Sequence, residues 1–386
     1  MNYSSSGNHI LNYGESTSLN WAERFRRFPW SLLFLLLMTV FVGFGILFSA
    51  VGGSNNIWIF LRQVIQFCFG VVIMCSVAVM VGEKIYRRFA YLFYSFSFVL
   101  LGATMAVGSV GMGARRWLEF GFFRLQTSEL MKVALILALA RYFHDRGGAN
   151  GMKLRELVVP FLMILLPMAM IVKQPDLGTA VLLGGVGMVM MVVAGLSWKV
   201  LLTLVIVFGA SLPVIWNGMH TYQKQRIITL FSPERDPLGS GYHIIQSKIA
   251  VGSGGVIGKG FMAGSQSQLD FLPERHTDFI FSVLAEEWGF LGGVTVLVLY
   301  GLIIIRSLMI TEMANDRFGL LTVVGATMLF AIQVMVNIGM VLGLLPVVGV
   351  PLPLISYGGS SMVTIMIAMG LLIHVSIYSK QHGRSV

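Results

Sequence analysis

The chain has 386 residues, of which 56% are hydrophobic, 11% are charged and 44 are glycine, with a mean hydropathy of +0.80. A soluble protein carries roughly a quarter charged residues, so an ordinary globular enzyme, a disordered chain and a disulfide framework are excluded, and the sequence belongs in a lipid bilayer. Lys and Arg outnumber Asp and Glu 27 to 17, a net charge of +10, yet the cations sit between apolar runs, where membrane topology explains them better than nucleic-acid binding.

Residues 1–20 are polar and Ser-rich, with no apolar core or small-residue cleavage site, and read as a tail and not as a signal peptide. Apolar runs follow at 30–51, 57–81, 89–112, 128–143 and 157–172, then at 177–194, 198–216, 279–305, 320–345 and 360–378. At about 20 residues per span, these predict an all-α polytopic membrane protein of about ten transmembrane helices. One membrane domain over 30–379 is expected, between short cytoplasmic tails at 1–29 and 380–386. Cys68 and Cys75 share one run and one helix face, which predicts small buried hydrophobes and no disulfide.

Placing the N terminus in the cytoplasm puts Arg24, Arg26, Arg27, Lys84, Arg87, Arg88, Arg141, Arg146, Lys153 and Arg155 on the inner side. Lys199, Arg306, Arg317, Lys380 and Arg384 follow them, leaving Arg115, Arg116, Arg124 and Lys173 in the short outer loops. The asymmetry puts both termini inside. The connection at 217–277 is then an outer loop of a length that is usually functional.

That loop contains Gly252-Ser253-Gly254-Gly255 and Gly258-Lys259-Gly260. A phosphate-binding loop fails here, because Ser253 stands where its first Gly is needed and Gly260 where Ser or Thr is needed. Flexible turns are the better reading, with backbone amides still able to touch a pyrophosphate. The loop ends in Phe271-Leu272-Pro273-Glu274-Arg275-His276-Thr277-Asp278, which runs straight into an apolar helix. Asp278 at its lip reads equally as a helix cap or as a carboxylate for chemistry.

Charges within or beside the spans are Arg62 with Gln63 and Gln66, Glu129 with Lys132, and Lys173 with Asp176. Intramembrane ionisable groups default to function, although Glu129 and Lys132 at i and i+3 have the spacing to neutralise one another. Pro346, Pro351 and Pro353 cannot continue a membrane helix, so the last outer loop, 345–360, is expected to be a re-entrant segment or cavity wall. Cations, a carboxylate and a broken-helix cavity at one side suit an amphiphilic substrate with an anionic head group. Transfer from a lipid-linked donor, transport of such a lipid and a passive scaffold all fit these residues.

The run from Gly241 to Gly255 resembles the SEDS family of shape, elongation, division and sporulation proteins. So do 271–281, 173–179, 350–361 and Gly113-Ala114-Arg115-Arg116-Trp117-Leu118. The resemblance covers nearly all of the chain after the first thirty residues, and Gly264-Ser265-Gln266-Ser267-Gln268-Leu269 is closer to the elongation members than to the division members. Thr127 stands where the family commonly has Pro, a change expected to be harmless because Pro there mainly presets a helix start.

The resemblance implies a ten-helix peptidoglycan glycosyltransferase of the bacterial cytoplasmic (inner) membrane. It would polymerise lipid II on undecaprenyl pyrophosphate-linked glycan, beside a class B penicillin-binding protein. The family's acidic residue in the large outer loop corresponds to Asp278, its cavity cations to Arg62, Arg115 and Lys132, and its Glu to Glu129. Lys173, Asp176, Lys248, Glu274, Arg275, His276 and Ser356 are further candidates for substrate contact. No cofactor is implied with certainty; dedicated acidic metal clusters are absent from the sequence, while a divalent cation bridging Asp278 and pyrophosphate stays open.

Overall fold

The computed structural model describes residues 20–80, 82–111, 114–120, 123–146, 154–219, 221–236, 239–269, 271–272 and 274–378. Most of the N-terminal tail, all of 380–386, Gly113, Lys153, Asp270 and Pro273 fall outside the described residues.

The chain opens with α1 (Trp21–Arg27), α2 (Trp30–Ala50), α3 (Ile57–Val79) and α4 (Glu83–Val107). Three strands follow, β1 (Ser109–Gly111), β2 (Ala114–Phe120) and β3 (Phe123–Gln126), and then α5 (Thr127–Asp145), α6 (Val158–Lys173), α7 (Leu177–Val193) and α8 (Trp198–Gly218). The long loop holds α9 (Thr221–Phe231), α10 (Ser240–Ser253) and α11 (Ser265–Gln268), before α12 (Ile280–Met309), α13 (Arg317–Val341) and α14 (Gly359–Tyr378). Each apolar run read from the sequence coincides with one of α2–α8 or α12–α14. Seven of the helices, α2, α3, α4, α6, α12, α13 and α14, are long and apolar enough to cross a membrane.

The helices sort into a buried centre and a lipid-facing rim. α13 and α14 bury 72% of their most apolar stretch inside the protein, against 17% for α3 and 22% for the span in α4. α5 is sheathed almost entirely from Thr127 to Phe143. A helix that is apolar all round has to be enclosed by others or face lipid, and α8 is the second case, with Val205, Ile206, Val207 and Phe208 each more than half exposed. Cys68 and Cys75 are free and exposed on the rim helix α3, not buried as expected.

Two features go beyond the expected helices. Residues 109–126 form a three-stranded antiparallel sheet, order β1-β2-β3, with Val110 opposite Arg115 and Leu118 opposite Leu125. Trp117 and Leu118 supply the aromatic and apolar residues that strands favour.

The glycine-rich stretch after α10 is also a fixed element and not a flexible turn. α12 breaks at Gly289 (φ 67°), and the 254–260 turn fills the break. Amides of Lys259 and Gly260 donate to the carbonyls of Glu286 and Glu287, while amides of Phe290 and Leu291 donate to Gly255 and Val256. Gly254 lets this approach happen: a Cβ there would stand 1.9 Å from the Ala285 oxygen. These amides are spent on α12 and do not form a phosphate cradle.

Candidate active site

The starts of α5, α7, α12 and α14 meet at the end of the bundle that carries the long loop. Gln126 before α5 donates to the Asp176 carboxylate before α7 at 3.4 Å, and its amide donates to Ser360 Oγ in α14 at 3.4 Å. Asp176 caps α7 by accepting from the Thr179 amide at 3.2 Å and its hydroxyl at 3.0 Å. Each helix start carries a partial positive charge, so their convergence makes the region receptive to an anion.

The Pro-rich segment 345–358 threads between these helix starts without regular structure, and buried side chains satisfy its backbone. Asn337 donates to Val350 and Asp278 carbonyls at 2.7 and 2.9 Å, and Gln333 to Pro351 at 3.0 Å. Tyr300 donates to Pro353 at 2.6 Å and Gln63 to Ser356 at 3.0 Å. Non-helical backbone at membrane depth survives only with such partners. Ser356 Oγ donates to the Thr277 carbonyl at 2.5 Å and accepts from Leu352, locking this segment to the one that carries Asp278.

Asp278 lies two residues before α12 at this junction, with Phe279 as the N-cap between them, and its Oδ2 is 3.5 Å from where a Cβ on Gly349 would lie. Withdrawal from water pushes its carboxyl up to about 7, and Glu274 adds to the rise. Arg226 and Arg116 pull the other way, and Asp176 raises it further. Arg226 is held by donation to the Val347 carbonyl at 2.9 Å. Arg116 donates to Gln174 at 3.1 Å and also to the Pro175 carbonyl. Burial lowers the Arg226 guanidinium from its ordinary value, and burial likewise lowers His276 and His243, against the pull of Glu274. His243 stacks on Phe279 at 5.9 Å.

The residues singled out from sequence fall into two groups. Asp278, Asp176, Glu274, His276 and Ser356 share this junction. Arg275 lies beside it, donating to the Ala50 carbonyl at 2.6 Å, as does Lys248, whose stem covers Gly343 at the end of α13. Glu129 and Lys132 form a buried ion pair at 2.8 Å in α5, whose first turn belongs to the junction. Arg62, Lys173 and Arg115 are exposed, and Arg115 reaches back toward the Ala106 carbonyl at 3.5 Å. The cations that act on Asp278 are instead Arg116, the neighbour of Arg115, and Arg226, one of several loop cations.

Glu286 and Glu287 were also not anticipated. Glu286 accepts from Lys259 at 2.6 Å, Ser265 at 3.1 Å and the Gln266 amide at 3.0 Å, and Glu287 accepts from Ser49 at 2.5 Å. Two adjacent acids inside an apolar run were the available signal. Among the described residues no group of three or more His, Cys, Asp or Glu is arranged to hold a metal ion.

The chain matches the FTSW_RODA_SPOVE cell cycle protein family over residues 26–381. It is 42% identical over 359 residues to the peptidoglycan glycosyltransferase MrdB of Escherichia coli K12, covering 93% of this chain and 95% of that one. Its fold resembles the crystal structure of the Thermus thermophilus rod shape determining protein RodA, with a TM-score of 0.69, 30% identity and coverage of 92% and 98%. It also resembles a chain from a structure on coordination of polymerization and crosslinking by a peptidoglycan synthase complex, with a TM-score of 0.79, 34% identity and coverage of 92% and 99%.

Proposed function

Because the chain belongs to the FtsW, RodA and SpoVE family of cell cycle proteins, we propose that it is a peptidoglycan glycosyltransferase that polymerises lipid II into glycan strands during cell elongation. The chain is a multi-pass membrane protein of the bacterial cytoplasmic membrane, with both termini cytoplasmic and the long loop outside. Its partner is a class B penicillin-binding protein that cross-links the strands.

The observation that carries this reading is a carboxyl poised near 7 beside two arginines and four helix starts. The reaction joins the 4-hydroxyl of an acceptor sugar to the anomeric carbon of a donor glycan and breaks the bond from that carbon to undecaprenyl pyrophosphate, inverting the configuration. An inverting displacement needs a base on the acceptor side. Asp278 takes the hydroxyl proton, and a carboxyl near 7 is a better base than an ordinary one near 4.

Pyrophosphate leaves as an anion, so groups that absorb its charge take the place of a general acid. Arg116 and Arg226 serve this role together with the helix starts, and the Lys132–Glu129 pair lies behind them in α5. Arg62, Arg115, Lys173 and Lys248 extend the cationic surface toward the lipid-linked substrate. The apolar grooves of the rim accept the polyprenyl tail.

Asp278→Ala in the full chain, purified with its partner and supplied with lipid II, is expected to give no glycan polymer while inserting and folding normally. Retained polymer in that variant contradicts the assignment. A precursor transporter, the competing reading, predicts lipid movement across sealed vesicles without polymer, and the relatives' names favour transfer over transport.

A further inference from the structure

Burial and charge act on the Asp278 carboxyl, but among the described residues nothing hydrogen-bonds to it. Its place is therefore set by the backbone that carries it. That backbone is strained where it begins, because Glu274 stands at φ 52°, a left-handed conformation that a residue with a side chain keeps only where its surroundings impose it. The Glu274 carbonyl closes the turn by accepting from the Thr277 and Phe279 amides at 3.1 and 3.3 Å.

Each of the next four residues makes a tie to the bundle. The carbonyls of His276, Thr277 and Asp278 accept from the Tyr357 amide at 2.9 Å, Ser356 Oγ at 2.5 Å and Asn337 at 2.9 Å, which binds them to the Pro-rich segment and α13. Arg275 supplies the tie to α2, its Nε donating to the Ala50 carbonyl at 2.6 Å. Ala50 is the last residue of α2, and a carbonyl in a last turn lacks an intrahelical partner and lies at the negative end of the helix dipole. A guanidinium there makes a charge-assisted bond. The end of α2 is itself held: Gln268 of α11 donates to the Ser49 carbonyl at 3.2 Å, and Ser49 Oγ donates to Glu287 of α12 at 2.5 Å. Ser49, Ala50 and Glu287 are all buried. Arg275 thus ties the segment to a helix end that is fixed to α12.

We propose that Arg275, expected from the sequence to contact the substrate, is instead a positioning residue for Asp278. Its bond to α2 sets the segment against that helix end and, with the three carbonyl ties, holds the carboxylate in one place. The inference rests on Asp278 being the base. A reacting group misplaced by about 1 Å loses on the order of 10²-fold in rate, and a loss confined to the transition state lowers kcat without raising KM.

The test is steady-state strand formation from lipid II by the full chain purified with its class B penicillin-binding partner, for Arg275→Met, Arg275→Lys and Ser49→Ala. Arg275→Met is expected to lower kcat about 10–100-fold with KM for lipid II unchanged. Arg275→Lys keeps a cationic donor and recovers most of that rate. Ser49→Ala, at a buried position, frees the end of α2 from Glu287 and lowers kcat alone; added to Arg275→Met it costs nothing further, because both act through one contact. A raised KM at native kcat in Arg275→Met assigns Arg275 to the substrate and overturns the proposal, as does a native rate in that variant. Should Arg275→Met fail to fold, a lowered kcat in Ser49→Ala supports the proposal and a native one overturns it. Asp278→Asn, measured alongside, separates the two readings: a native rate there removes the base itself, whereas an inactive Asp278→Asn beside a native Arg275→Met removes the positioning role alone.

Discussion

Asp278 sits where five influences on one carboxyl compete. Withdrawal from water dominates, so the group titrates near 7 in the folded chain and near 4 when unfolded. Between these values the folded state binds the extra proton, so this group's contribution to stability is full below pH 4 and is lost as pH rises toward 7. Activity runs the opposite way, because only the deprotonated form accepts the hydroxyl proton. The rate of strand formation against pH is expected to rise to a half-maximum near 7. Glu274→Gln removes a carboxylate that raises Asp278 and moves that half-maximum to lower pH; Arg226→Gln moves it higher. A profile that neither variant shifts contradicts the electrostatic account. Asp278 was singled out from the sequence because the family resemblance places an acidic residue there, its local motif reading equally as a helix cap. Arg226 was not, since nothing local separates one loop arginine from the others until the fold brings it to Val347.

Among the elements, the long helices were legible and the irregular ones were not, for a physical reason. A run of about twenty apolar residues has one low-energy form in lipid, whereas the 109–126 sheet and the 254–260 splice depend on partners distant in sequence. The re-entrant segment lies between these cases: three prolines announced its irregularity, but not the side chains that satisfy it. Gln333 and Asn337, one turn apart in α13, are those side chains. Asn337→Leu leaves the carbonyls of Asp278 and Val350 without this donor, at a cost of about 1–3 kcal/mol for each buried group. Thermal unfolding in detergent is expected to show a lower Tm, together with weaker polymerisation. An unchanged Tm removes the claim that Asn337 supports the segment.

For the whole molecule, charge inside the bundle separates structural from chemical roles. Glu129 and Lys132 are both nearly fully buried, and their 2.8 Å contact offsets the cost of desolvating them. Lys132→Met strands a buried carboxylate, a loss of about 3–5 kcal/mol, while Lys132→Met with Glu129→Leu is expected to recover the Tm. Activity returning with the Tm marks the pair as structural; a stable but inactive double variant places it in substrate binding, as proposed.

The central claim is that one carboxylate at the start of α12 acts as the base for glycosyl transfer. Its most direct test is the rate of strand formation from lipid II by Asp278→Asn, which keeps the shape of the side chain and removes its basicity. The predicted result is a loss of about 10²–10⁴-fold, the usual contribution of a general base, with Tm and lipid II binding unchanged. Polymerisation near the native rate would make Asp278 a helix cap and move the chemistry elsewhere.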